Sequence, residues 1–262
     1  MTEQAIIHPS AIIDSSANLG LNVKVGPYSV IGADVQIGDN CTIGSHVNIK
    51  GPTSIGQDCR IHAFSSIGDD PQHKGYKGEP TRLEIGDRNE IREYVSIHRG
   101  TLFDDGITTV GNDNLIMAYC HIAHDCRVGN HITMANGASM AGHAHIGDHC
   151  ILGGFALVYQ FVRVGPYTYL GFGSGTAHDV PPYMMVSGYP SHPHGLNTEG
   201  LKRHGFTKDD IRALRKAYKA LYRSKLLLVE AKAEIEEMAK DNEKVAYFSE
   251  FLQAESKRGL LR

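Results

Sequence analysis

Aliphatic side chains recur at every sixth residue of this chain, and small or polar residues fill most positions between. From Ile7, steps of six reach Ile13, Leu19, Val25, Ile31, Ile37, Ile43, Ile49, Ile55, Ile61 and Ile67. The register resumes at Ile85, Ile91 and Ile97, and again from Val110 through Ile116, Ile122, Val128, Met134, Met140, Ile146, Leu152, Val158 and Val164 to Leu170. Neither an amphipathic helix, of period about 3.6, nor an alternating strand, of period about 2, needs such a repeat. A parallel β-helix built from hexapeptides does: each hexad makes one short strand and one corner, and three hexads close a triangular coil. Residues about 18 apart should then stack on neighbouring strands, about 4.8 Å from each other.

The register breaks at 69–84, "DDPQHKGYKGEPTRLE", and at 98–109, "HRGTLFDDGITT". Both segments are polar and carry glycine or proline, which predicts loops thrown out from coil corners, either a binding face or inert surface. After "DVPPYMMVSGYPSHPHG" the pattern turns helical. Thr207 and Asp210 resemble a capping box, with Ile211, Leu214, Tyr218 and Leu221 following at helix spacing. At least two more helices are expected before Arg262. The predicted fold class is mainly β, a parallel β-helix over 1–190 followed by an α-helical domain over 191–262.

The composition fits that picture. Apolar residues make up 41% of the 262, ample for a core, and 29 glycines without a collagen triplet suggest many tight corners. A net charge of −3 and a pI near 6.6 give no electrostatic reason to expect nucleic acid. The opening "MTEQAIIHPS" lacks a basic, apolar leader, and no run approaches the roughly 20 apolar residues needed to span a bilayer, so a cytoplasmic protein without membrane insertion is expected. Cys41, Cys59, Cys120, Cys126 and Cys150 each fall four residues after an aliphatic position, the second inward slot of a hexad. They are expected as small core residues rather than disulfides or zinc ligands, since no C-x-x-C occurs. Residues 201–225 hold nine Lys or Arg against two acids, so this helical stretch either receives an acidic partner or phosphates, or is a solvated face.

Candidate chemistry gathers in "HIAHDCRVGNH", residues 121–131. His121, His124, His131 and His143 miss the inward slots, so they should face outward or sit at corners, not in the core. The 18-residue rule stacks His124, Gly142 and Gln160 in one column and Asp125, His143 and Phe161 in the next. An imidazole, a bare backbone amide one strand away and a neighbouring carboxylate would then converge. Acyl transfer to an alcohol needs this combination, a base for a poorly nucleophilic hydroxyl and an N–H donor for the oxyanion. A solvated polar patch and a metal site remain open on this geometry.

The segments "GEPTRLEIGDRNEIREYVSIHRGT", "HIAHDCRVGN", "MAGHAHIGDH", "DVPPY" and "NTEGLKRHGF" resemble, in this order, the acyl-carrier-protein-dependent UDP-N-acetylglucosamine O-acyltransferases that begin lipid A synthesis. The resemblance covers essentially the whole chain. It implies a homotrimer of left-handed β-helices with active sites between subunits, and no metal or cofactor. His124 is then the general base toward the sugar 3-hydroxyl, Asp125 holds its imidazole, and the Gly142 N–H receives the oxyanion of a (3R)-3-hydroxyacyl thioester on acyl carrier protein. Gln72, His73, Tyr76, His121, His143 and Gln160 match substrate-cleft positions. Asn197, Glu199 and Arg203 match the nucleotide end of UDP-N-acetylglucosamine, and the basic helix matches an acidic carrier. Several positions depart from the family pattern: His73 and Gly75 replace an acid and a base, Tyr159 replaces histidine, and His204 replaces a second arginine. Phe172 stands where the family measures acyl length, and its bulk implies a preference nearer 10 carbons than 14. Alternatives are a 3-amino sugar acceptor, or a zinc enzyme similar to γ-class carbonic anhydrases using His121, His124 and His143.

Overall fold

The computed structural model describes residues 5–262; the first four residues of the N-terminal stretch lie outside them. Short strands wind into three sheets, the faces of a triangular prism. The first face has eleven strands, from Ile6–Ile7 to His192–Leu196. The second has nine, from Ile12–Ile13 to Gly175–Thr176, and the third eight, from Asn18–Leu19 to Arg163–Val164. Through Gly175–Thr176 each strand hands the chain to the next face, making a left-handed parallel β-helix.

The hexads explain this winding. Ile13, Ile31, Ile49 and Ile67 pair directly in one column, and the last three are fully buried. Each buried isoleucine contributes about 1.5–3 kcal/mol relative to exposure. Ile7 remains 42% exposed, because no described coil lies beneath it. The five cysteines are free thiols inside the prism, where a small side chain fits. Cys59 N–H donates to Cys41 Sγ at 3.3 Å.

At the insertions the stacking interval rises from 18 residues to 30, then 25, and afterwards returns to 18. The excursions are shorter than the sequence pattern predicts at both breaks. Strands Ser66–Asp69 and Arg82–Ile85 claim part of the first, and Ser96–His98 and Ile107–Val110 part of the second. Within Arg82–Ile85 and Ile107–Val110 every second residue turns inward, burying Leu83 and Thr108 completely.

Past the hexads two further strands follow. Met184–Ser187 extends the first face in parallel, and His192–Leu196 returns antiparallel beside it. Four helices follow: α1 (Thr198–Arg203), α2 (Lys208–Tyr222), α3 (Leu228–Ala239) and α4 (Glu243–Gln253). The Thr207–Asp210 capping box forms in both directions, and Ile211, Leu214, Tyr218 and Leu221, spaced as a helix requires, are buried. The Lys and Arg side chains of α2 face solvent. Among the described residues no helix is long and apolar enough to cross a membrane.

Candidate active site

The corner between the second and third faces carries the predicted columns. His143 N–H donates to His124 O at 3.0 Å, and Phe161 N–H to Gly142 O at 3.1 Å, so successive coils are locked floor on floor. Asp125 occupies the left-handed region, φ 60°, and its N–H donates to Thr108 Oγ1 at 2.8 Å. That setting aims its carboxylate back at its neighbour: His124 Nδ1 lies 2.7 Å from Asp125 Oδ2. An ionised carboxylate can only accept, so Nδ1 carries the ring proton and Nε2 is left with a free lone pair.

The ring lies flat against Gly142. A Cβ built there would stand 2.5 Å from His124 Cε1 and 2.8 Å from Nε2, so any side chain at 142 would displace the imidazole. Among the described residues no backbone carbonyl accepts the Gly142 N–H. This edge opens on a cleft of about 420 Å³ along the second face, whose lining includes Gln72, His121, His124, Gly142, Leu157 and Tyr159. A cavity of similar size, about 430 Å³, lies among the helices beside Arg212 and Asp241, but no imidazole or thiol lines it.

Contrary to the expectation for outward histidines, His124 and His143 are each only 6% exposed. Both do point away from the coil, but the two insertions fold back over this corner. Thr101 N–H donates to Asp125 Oδ1 and Thr101 Oγ1 to Oδ2, both at 2.7 Å. Asp104 meets His143 Nδ1 at 3.0 Å. The His73 ring packs edge-on against His124 at 5.2 Å and tilted against Phe103 at 4.7 Å. Gly75 makes that packing possible, since a Cβ there would stand 2.9 Å from Phe103 Cζ. Burial alone would raise the Asp125 carboxyl, but hydrogen bonds from His124 and Thr101 outweigh it and hold its pKa below the usual carboxylate value. Burial, with His98 and His124 nearby, pushes His121 down to about 4. Its Nδ1 is 2.7 Å from Ser96 Oγ.

Other predicted residues lie elsewhere in the chain. Tyr76 donates to Glu79 O and meets Arg99, both at 3.1 Å, latching the first insertion rather than lining the cleft. Gln160 is exposed on the coil beyond Gly142. Phe172 is 75% exposed at the opposite edge of the second face, ring edge against Phe155. Asn197 caps α1 and donates to Tyr167 O at 2.9 Å, while Glu199 pairs with Lys202. Arg203 is exposed beside His204, whose ring packs tilted against His149 at the corner between the third and first faces. Thr101, Phe103, Asp104 and Ser96 escaped the sequence analysis; the first three sit in a stretch without register. His124, Asp125 and His143, not the three-histidine set with His121, have ligating atoms within 4.8 Å of each other. The shared Asp125 oxygen is already taken by His124 and Thr101.

The coil and this corner define a transferase of the hexapeptide-repeat class, and the bacterial transferase hexapeptide model matches residues 16–51 and 107–142. The model for domain 2 of UDP N-acetylglucosamine O-acyltransferases matches residues 179–261. Relatives named acyl-[acyl-carrier-protein]--UDP-N-acetylglucosamine O-acyltransferase include that of Halorhodospira halophila, 53% identical over 98% of this chain and 99% of its own. That of Neisseria meningitidis serogroup B is 55% identical with the same coverage. The solved UDP-N-acetylglucosamine acyltransferase of Francisella novicida superposes with a TM-score of 0.96 at 43% identity, covering 98% of this chain and 94% of that one. LpxA of Acinetobacter baumannii gives 0.96 at 44%, covering 98% and 100%. This chain belongs to the acyl-[acyl-carrier-protein]--UDP-N-acetylglucosamine O-acyltransferase family.

Proposed function

We propose that the protein transfers a (3R)-3-hydroxyacyl group from acyl carrier protein to the 3-hydroxyl of UDP-N-acetylglucosamine, the first step of lipid A synthesis. The observation that carries the mechanism is the His124 ring, tethered through Nδ1 to Asp125 and laid against the bare Gly142. His124 Nε2 takes the hydroxyl proton as the sugar oxygen attacks the thioester carbonyl. The Gly142 N–H receives the oxyanion, and Asp125 steadies the imidazolium. Collapse breaks the carbon–sulfur bond, and the departing thiolate recovers the proton from His124. No acyl-enzyme forms.

Gln72, His121 and Tyr159 line the cleft. His73 closes it from above, in place of the family's acid. A homotrimer is the assembly that would gather the dispersed residues, since Phe172 and Arg203 occupy corners other than that of His124. Five buried free thiols fit a cytoplasmic location. The relatives' names specify O-acylation, so neither the amino sugar nor zinc chemistry is carried forward. Incubation with UDP-N-acetylglucosamine and 3-hydroxyacyl carrier proteins of graded length tests the reaction. His124→Ala is expected to lower turnover at least about 100-fold. Near-normal turnover in that variant would reassign the chemistry.

A further inference from the structure

The last residues of the chain return from α4 to the coil and are fixed there. Asp179 N–H donates to Gly259 O and Leu261 N–H to Asp179 O, each at 2.8 Å. The Tyr222 hydroxyl donates to Leu261 O at 2.9 Å. Gly259, at φ 70°, makes the turn that seats the tail, a setting glycine adopts at little cost.

Two cations precede that turn. Lys257 Nζ stands 4.7 Å from the centre of the Phe161 ring, and the Arg258 guanidinium 5.7 Å from that of Tyr159. Both rings belong to the catalytic surroundings: Phe161 stacks on His143 at 4.4 Å, His143 meets His124 at 5.2 Å, and Tyr159 lines the cleft. Most arginines on the coil are paired, Arg88, Arg92, Arg127 and Arg163 among them. Neither Lys257 nor Arg258 has a carboxylate within salt-bridge distance among the described residues. Arg258 Nε donates to Ala177 O at 3.1 Å, which orients the guanidinium while its two Nη groups make no hydrogen bond within the described chain.

We propose that Lys257 and Arg258 form a phosphate subsite that holds the phosphodiester joining the donor's acyl-bearing arm to its carrier protein. The proposal rests on the donor assigned above. A carrier-bound acyl thioester sits at the end of a pantetheine arm attached through a phosphate. With the thioester between His124 and Gly142, an arm running along the corner past Phe161 carries its phosphate toward the tail. An oriented guanidinium fork and a mobile ammonium suit a phosphodiester's two anionic oxygens. Aromatic faces beneath the cations attract them without neutralising them.

Binding of 4′-phosphopantetheine and of pantetheine, measured calorimetrically on the intact protein, tests the subsite directly. The unaltered protein should bind the phosphorylated probe about tenfold or more tightly, and Lys257→Ala with Arg258→Ala should abolish the difference. Arg258→Lys should retain part of it. In steady state the double variant should raise the KM for acyl carrier protein about 10- to 100-fold while that for UDP-N-acetylglucosamine stays within about twofold. If the double variant fails to fold, Lys257→Ala alone, which leaves the Ala177 bond intact, should still weaken the phosphorylated probe about tenfold. Equal binding of both probes, or a KM increase confined to the sugar nucleotide, overturns the proposal. Absence of turnover by the unaltered protein counts against the assigned reaction instead, and the probe comparison then decides the subsite.

Discussion

Two corners of the prism use the same backbone slot and differ in what covers them. Between the first and second faces, Tyr28, His46, Phe64, Tyr94 and Tyr119 all have left-handed φ angles of 55–60° or slightly above, up to 65° at Tyr119, and their rings stack at 5.0–5.1 Å. Between the second and third, Asp125, His143 and Phe161 have φ of 60°, 61° and 65°, and His143 stacks on Phe161. In the single chain the first column is open, with Tyr28 and Tyr119 more than 60% exposed, whereas Asp125 and His143 are buried. An outward ring on a coil corner is therefore no site by itself. The second corner gains its chemistry from two insertions that exclude water and bring Thr101, Asp104 and His73. Under such a cover a hydrogen bond to a charged group is stronger, and an unmet donor costs more, than at an open corner.

Asp125→Asn breaks the covered corner most directly. Thr101 N–H reaches Oδ1, while Thr101 Oγ1 and His124 Nδ1 both reach Oδ2. An amide offers one acceptor atom, so its NH2 must face one of these donors in either orientation. Turnover with acyl carrier protein and UDP-N-acetylglucosamine should fall about 100-fold or more. Stability should drop by about 1–3 kcal/mol, read from the denaturant midpoint. Unchanged turnover would mean that the carboxylate does not orient the base.

Phe172 asks whether the open corner also shapes the reaction. Its neighbour Phe155 folds over Gly137, where a Cβ would stand 2.7 Å from the ring, so bulky side chains end the aromatic column at the helical end. If that corner closes the acyl slot in the assembled enzyme, the protein prefers donors nearer 10 carbons than 14. Phe172→Gly should then raise relative kcat/KM for the 14-carbon donor at least about tenfold, since each buried methylene contributes about 0.8 kcal/mol. Equal use of both lengths by the unaltered protein would remove Phe172 from the slot.

The division between corners also marks what the sequence could reveal. The six-residue period located the core isoleucines, the buried cysteines and the meeting of His124 with Gly142, because each follows from counting along regular coils. The cover does not follow from counting. Thr101 and Asp125 are 24 residues apart across an insertion of arbitrary length, and Asp104 and His143 are 39 apart. For the same reason burial of His124 and His143 was unreadable, although their outward direction was not. Arg258 reaches Ala177 across 81 residues by a tail with no repeat. Asn197 illustrates the converse: an asparagine just before a helix is a capping signal, and it caps α1 here.

The cover should finally leave a signature in acid. Burial, reinforced by His98 and His124, lowers the His121 pKa from 6.5 to about 4, and burial lowers His98 as well. The unfolded chain takes up a proton at His121 as pH falls through 6.5, whereas the folded protein resists it until about 4. Across that window the unfolded state binds more protons, so stability rises with pH and is lost on acidification. His121→Gln removes the titrating group, and the fall in denaturant midpoint between pH 7 and pH 4.5 should shrink by an amount of order 1 kcal/mol. An identical fall in both proteins would show that His121 accepts its proton as readily folded as unfolded. The insertions would then shield the His124–Asp125 pair without drying the cleft beside it, and the contrast between the two corners would narrow to that pair.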